Sequence, residues 1–216
     1  MDTNKNKSII DQLNWRYATK KFDSQKKISE SDWKTLEESL RLSPSSYGLQ
    51  PWKFLIVQNS EIREQLTPLS WGQTQIKDCS HLVVLTYKKK IDEKYVEKFI
   101  QTSSNVNGVP VAQLESYKNI IIGDLIKGPR SEIIQWWAQR QTYIAMGFLM
   151  ETAALLHIDT CPLEGLDPLG YDKVLKIDNS EYATVAAVAC GYRHADDKYQ
   201  FSKKVRFNNS DIIEFI

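Results

Sequence analysis

The apolar positions change period along the chain, and the changes predict its elements. After Ser8, the residues Ile9, Ile10 and Leu13 recur at helical spacing, so Ser8 is expected to cap a first helix. "SESDW" marks a second start. Ser29 with Asp32 three residues on approximates a capping box, Ile28 stands at the staple position, and Trp33, Leu36 and Leu40 share a face that Pro44 is expected to end. "WKFLIVQ" and "SHLVVLTYK" are short apolar runs with β-branched residues, expected as strands. Between them, Ser60 is expected to cap a short helix that stops before Pro68. "DEKYVEKFIQT" predicts a surface helix, and "YATVAAVACGYR" a third strand whose small residues allow close packing.

The strongest helical signal spans 131–157. Ile133, Trp137, Ile144, Phe148 and Leu155 fall near one stripe, and Ile134, Trp136, Ala145, Met146, Leu149, Ala153 and Ala154 widen it almost all round. A helix with that pattern is central or faces a partner subunit. Residues 102–119, with Gly108 and Pro110, carry few periodic signals and read as a loop or an excursion holding a short helix. The tail "DIIEFI" is apolar and is expected to dock on something. Helices and strands alternate without a regular βαβ count. One α+β (or α/β layered) domain over residues 1–216 is therefore expected.

Composition narrows the function classes. Charged residues make up 25% and hydrophobic ones 42%, an ordinary globular balance. With a net charge of +1, the chain offers no overall field to nucleic acid or acidic membranes, so any anion site must be local. No apolar stretch suits a signal peptide or a membrane span. Cys79, Cys161 and Cys190 are odd in number and form no CxxC. His81, His157 and His194 show no ligand spacing. A disulfide framework and a zinc site are not expected, and a reducing cytoplasm is the expected compartment. Dinucleotide, P-loop and nucleophile-elbow motifs are missing from the sequence.

Three polar features remain. "SPSSYGLQPW" is punctuated by Pro44, Gly48 and Pro51. Its Ser45, Ser46 and Gln50 offer donors and acceptors for a ligand edge, or simply connect a helix to a strand. In "CPLEGLDP", Pro162 and Gly165 flank Glu164. Gly165 would let backbone approach a ligand, while the plainer reading is an N-cap loop with Asp167 capping "PLGYDKVL". The third feature is cationic: Arg16 and Lys20 lie four apart near one end, Lys204 and Arg206 two apart near the other. Charge-assisted hydrogen bonds contribute about 1.5–3 kcal/mol each. Two or three would hold a phosphate dianion if the pairs met; taken singly, such cations are solvated surface.

In order along the chain, "RYATKKFD", "SPSSYGLQPW", "KDCSH", "CPLEG" and "KVR" resemble the nitroreductase family of flavin enzymes. The likeness runs from about Asn14 to Arg206 and is nearest to the NAD(P)H-dependent, oxygen-insensitive branch with its quinone and dihydropteridine reductases. The resemblance implies a homodimer with FMN at the subunit interface, and a mixed sheet wrapped by helices. It also implies a long helix facing its twin and a tail embracing the partner. Arg16 resembles a ligand of the FMN phosphate and ribityl chain, and Lys20 the cation near flavin N1 and O2, where it favours reduction. Ser45, Ser46 and Gln50, shaped by Pro44, resemble a loop lining the flavin from the partner chain. Pro162, Glu164 and Gly165 resemble the segment whose N–H groups meet flavin N5 and O4. Gln75 resembles an amide on the pyrimidine, and Lys204 with Arg206 the rest of the phosphate clamp. The implied activity is reduction of nitroaromatics, quinones or related flat acceptors by NAD(P)H in a ping-pong cycle, with the chemistry carried by FMN. A non-catalytic flavin-binding protein, or a flavin destructase or dehalogenase on the same fold, are the other readings. Ala18 departs from a family Ser, and Gly48 and Gly72 from an Asn found in some members. The stretch 102–128 is expected on the substrate side.

Overall fold

The computed structural model describes residues 3–216. Four strands make one sheet, β1 (Trp52–Val57), β2 (His81–Lys88), β3 (Asp159–Leu163) and β4 (Tyr182–Gly191), in the order β1-β2-β4-β3. Every strand pairing is antiparallel, which corrects the expected mixed sheet. The parallel element is an isolated bridge, Ala18 to Thr160, beside the β3 edge. β2 and β4 are buried along nearly their whole length, as apolar runs in central strands should be.

The helices are α1 (Thr3–Trp15), α2 (Glu30–Arg41), α3 (Ser60–Leu66), α4 (Gln75–Asp78), α5 (Glu93–Asn107), α6 (Glu115–Ile122), α7 (Ile134–Leu155), α8 (Pro168–Val174) and α9 (Asn209–Ile212). Ser29 caps α2 as its sequence implies, accepting from the Asp32 N–H at 3.1 Å, and Trp33, Leu36 and Leu40 are buried beneath it. Several expectations shift. Ser8 lies inside α1 and does not cap it. Asn59, not Ser60, caps α3. The stretch 102–119 is mostly helical: α5 runs on to Asn107, stops at Gly108 in the left-handed region (φ 65°), and a 3₁₀ turn leads into α6. The Ser104 hydroxyl donates to the Val109 carbonyl at 2.6 Å across this turn.

α7 lies across the sheet, but its apolar residues do not form one stripe. Trp137, Gln141, Ala145, Leu149 and Ala153 face inward, whereas Ile144, Phe148 and Leu155 face out, with Ile133 exposed just before the helix. Trp137 therefore leaves the stripe in which its spacing placed it. The tail makes no dock within its own chain: Phe215 is 96% exposed.

Between β1 and β2, the guanidinium of Arg63, itself 5% exposed, donates to the carbonyls of Val57, Cys79 and Ser80 at 2.7–2.9 Å. Its charge reaches His81, which stacks on Trp33 with ring centroids 3.9 Å apart. Burial, then Arg63 and Lys27, push the His81 imidazole down to about 4 from its ordinary 6.5. The folded state thus holds His81 neutral where the unfolded chain takes up a proton. Stability must rise with pH across roughly 4 to 6.5. Chemical denaturation at several pH values should show that slope, and His81→Phe, which keeps the stack on Trp33, should flatten it relative to wild type.

Candidate active site

The two cation pairs meet. A cavity of about 420 Å³ opens between the segment after α1 and the extended chain that precedes α9. Arg16 and Lys20 line one wall, and Lys203, Lys204 and Arg206 the other. No carboxylate lines it, and among the described residues none of these five cations forms an ion pair. Burial and then the neighbouring Arg206 lower the pKa of Arg16; burial, Arg16 and Arg206 lower that of Lys204. The buried Nε of Arg16 has no hydrogen-bond partner. Lys204 donates to the Arg16 carbonyl, tying the walls together. Uncompensated, mutually repelling cations around an orphaned donor form a site that an anion completes.

Local packing explains why the N-terminal wall stands where it does. Arg193 donates through two nitrogens to Asp159 of β3 at 2.6 and 2.9 Å, and its guanidinium packs over the rings of both Trp15 and Tyr17. The Thr19 N–H then reaches the Thr160 carbonyl at 3.2 Å, beside the Ala18 bridge. Ala18 lines the cavity with a methyl group, where a Ser would add a hydroxyl.

β3 leads away from this cavity to the second predicted region. Pro162 pairs with Val188 inside β3 instead of opening a turn, and it is tolerated because β3 is an edge strand. The five-residue strand was missed because its Pro and polar residues hide the apolar signal. The Cys161 thiol is raised mainly by burial, with the neighbouring Lys20, Gln75 and Arg16 opposing. Gln75, buried at the start of α4, and the cation wall therefore flank the same residue. Four residues beyond Thr160, about 13 Å along a strand, Glu164 accepts a hydrogen bond from Tyr143 of α7. Gly165 lies beneath the exposed ring of Trp71: a Cβ there would come within 2.6 Å of it. Gln73 Nε2 donates to the Gly165 carbonyl at 3.2 Å, joining the segments 71–75 and 164–165. Asp167 caps α8 as read.

The loop 44–50 is placed elsewhere in the protomer. Ser46 N–H donates to Gln141 of α7 at 2.9 Å, Gln50 N–H to the Ser45 hydroxyl at 2.9 Å, and Tyr47 to Asp124 at 2.7 Å. Pro44, Ser45, Ser46 and Gln50 do not line the cation cavity. Gly48 and Gly72 have φ of 70° and 69°. Both occupy the left-handed region, where Gly and Asn are the least strained residues, so their exchange is conformationally mild. Asp197, Arg193, Tyr143 and Trp71 were not foreseen. Their roles come from contacts across the fold, and no local spacing signals them.

The nitroreductase family model matches residues 13–192. The chain belongs to the nitroreductase family. A relative in Staphylococcus saprophyticus, whose provisional name is NAD(P)H nitroreductase, is 38% identical over 221 residues, covering 99% of each chain. The fold is that of a nitroreductase-type crystal structure from Bacillus subtilis, with a TM-score of 0.85 at 18% identity over 98% of this chain and 100% of that one. It also matches a nitroreductase-type structure from Exiguobacterium sibiricum solved with FMN, with a TM-score of 0.79 at 19% identity over 96% and 97%. The family match stops at residue 192, so the second cation wall lies beyond it. Among the described residues, no helix is long and apolar enough to cross a membrane.

Proposed function

We propose that the chain is an FMN-dependent NAD(P)H oxidoreductase reducing nitroaromatics, quinones or related flat acceptors. One observation carries this reading: five cations and no carboxylate around a cavity of about 420 Å³, within the range of about 300–1,000 Å³ common for small-molecule sites. Family membership, and the FMN bound to the Exiguobacterium neighbour, suggest which anion it takes.

Arg16, Lys204 and Arg206 would hold the FMN phosphate, the free Nε of Arg16 supplying the unmatched donor. Lys20 would place a cation beside the pyrimidine edge of the ring, and Gln75 an amide. Glu164, held by Tyr143, and Gly165, under Trp71, would present backbone N–H groups to the opposite edge. Bound FMN supplies acceptance of hydride from nicotinamide and its transfer to the acceptor, the two substrates taking turns. The side chains orient the group, balance its charge and shape the face that substrates reach. The missing nucleophile motifs are consistent with that division.

The site is completed, in this reading, by a second copy of the chain. The outward face of α7 and the tail are both apolar and uncovered. β1 is an edge strand flanked by a groove of about 290 Å³ lined by Trp52, Phe54 and Ile56. The partner's Ile212–Ile216 would cover that edge, and the loop 44–50 would line the partner's flavin.

The purified protein should show a flavin absorbance spectrum. Anaerobic NADH or NADPH should bleach it, and a quinone or nitroarene should restore it. A yellow protein that does not bleach would point to a binding protein without turnover. A colourless protein that takes up no added FMN would refute the reading.

A further inference from the structure

Asp197 lies in the joint between the two cation walls and is 2% exposed. Its Oδ2 accepts three hydrogen bonds, from the Tyr17 hydroxyl at 2.9 Å, the Lys20 N–H at 2.7 Å and the Lys21 N–H at 3.0 Å. Its Oδ1 accepts from the Tyr199 N–H at 3.0 Å, capping the 3₁₀ turn Lys198–Phe201 from which the second wall extends. His194 N–H closes the joint onto the Lys21 carbonyl at 2.9 Å. One carboxylate thus binds backbone from both walls, Lys20 and Lys21 on one side and Tyr199 on the other. Burial alone would raise this carboxyl. The N–H groups of Lys21, Lys20 and Tyr199, with the Tyr17 hydroxyl, outweigh burial and hold it below the usual carboxylate range. At neutral pH it is therefore ionised.

Its charge is of the wrong sign for an anion site. A carboxylate beside the walls of a phosphate cavity weakens the attraction for a dianion, so its presence calls for a geometric explanation. We propose that Asp197 is the positioning residue of this site, fixing the separation of Arg16 on one wall from Lys204 and Arg206 on the other so that these three converge on one phosphate. The proposal rests on the reading that the cavity holds the FMN phosphate. Only a group with two acceptor oxygens can serve, because every neighbour is a donor. In Asp197→Asn the shape is kept, but the amide NH₂ must face either the Tyr199 N–H or the three donors on the other side.

The test compares FMN with riboflavin, which lacks the phosphate. Each protein is stripped of flavin, its melting temperature is recorded, and binding of both ligands is titrated by flavin fluorescence. Wild type should prefer FMN strongly. Asp197→Asn should lose about 10-fold or more in FMN affinity, with riboflavin changing less than about 3-fold, as expected when hydrogen bonds to a charged group are misplaced. Equal losses for both ligands would show mere structural support and overturn the proposal. Tighter FMN binding would also overturn it, since the carboxylate would then act only through its charge. A wild type that does not distinguish FMN from riboflavin would sink the phosphate-cavity reading itself. Should Asp197→Asn fail to fold, Tyr17→Phe decides. It deletes one donor to Oδ2 and keeps the ring on Arg193, and it must shift the FMN-to-riboflavin ratio in the same direction or the proposal fails.

Discussion

Replacing Lys204 and Arg206 together by Ala is expected to weaken FMN binding about 100-fold. Each charge-assisted contact to a phosphate contributes about 1.5–3 kcal/mol. Arg206 is exposed and screened by solvent, so the lower figure applies, and two such contacts sum to about 3 kcal/mol, or roughly two decades in affinity. Removing the two cations should also relieve Arg16, whose pKa is lowered first by burial and then by Arg206. The check is the flavin content of the purified double variant and its FMN dissociation constant. Riboflavin binding should barely change, and FMN affinity in wild type should fall as salt is added. Undiminished FMN retention would mean that the cavity is not the phosphate site.

Ile144→Asp combined with Phe148→Asp is expected to break the proposed dimer into monomers. Both side chains are on the outward face of α7, exposed in the single chain, so the protomer's own core does not depend on them. A two-fold contact through this face would bury four new carboxylates, two from each copy. An unpaired buried charge costs several kcal/mol even after relaxation, so the dimer dissociation constant should rise by about 1,000-fold or more. Light scattering over a concentration series reads the mass directly. Flavin should be lost with the dimer, because the loop 44–50 lies away from the cation cavity of its own chain and would serve the partner's site. A variant that stays dimeric with full flavin content would place the interface elsewhere and remove the reason for a shared site.

Some of this protein was written locally. The Ser29 cap, the α2 face, the apolar runs of β1, β2 and β4, and the Asp167 cap depend on neighbours within a few residues, and spacing alone exposes them. The polar types needed for an anion site were legible too, because Arg16, Lys20, Lys204 and Arg206 are visible wherever they stand. Their convergence was not. It depends on Arg193 donating to Asp159, on Ala18 pairing with Thr160, and on Asp197 gripping both walls, contacts that span much of the chain. The apolar pattern of α7 was ambiguous for a related reason. Periodicity reports how much of a helix is apolar, and only packing separates the face turned to the sheet from the face left open. The antiparallel order of the sheet and the strand character of Pro162 likewise follow from the pairing partner. The sequence by itself determined the elements and the chemical types; the tertiary structure decided which charges share one cavity, because charge and hydrogen-bond energies depend on separations that no local spacing sets.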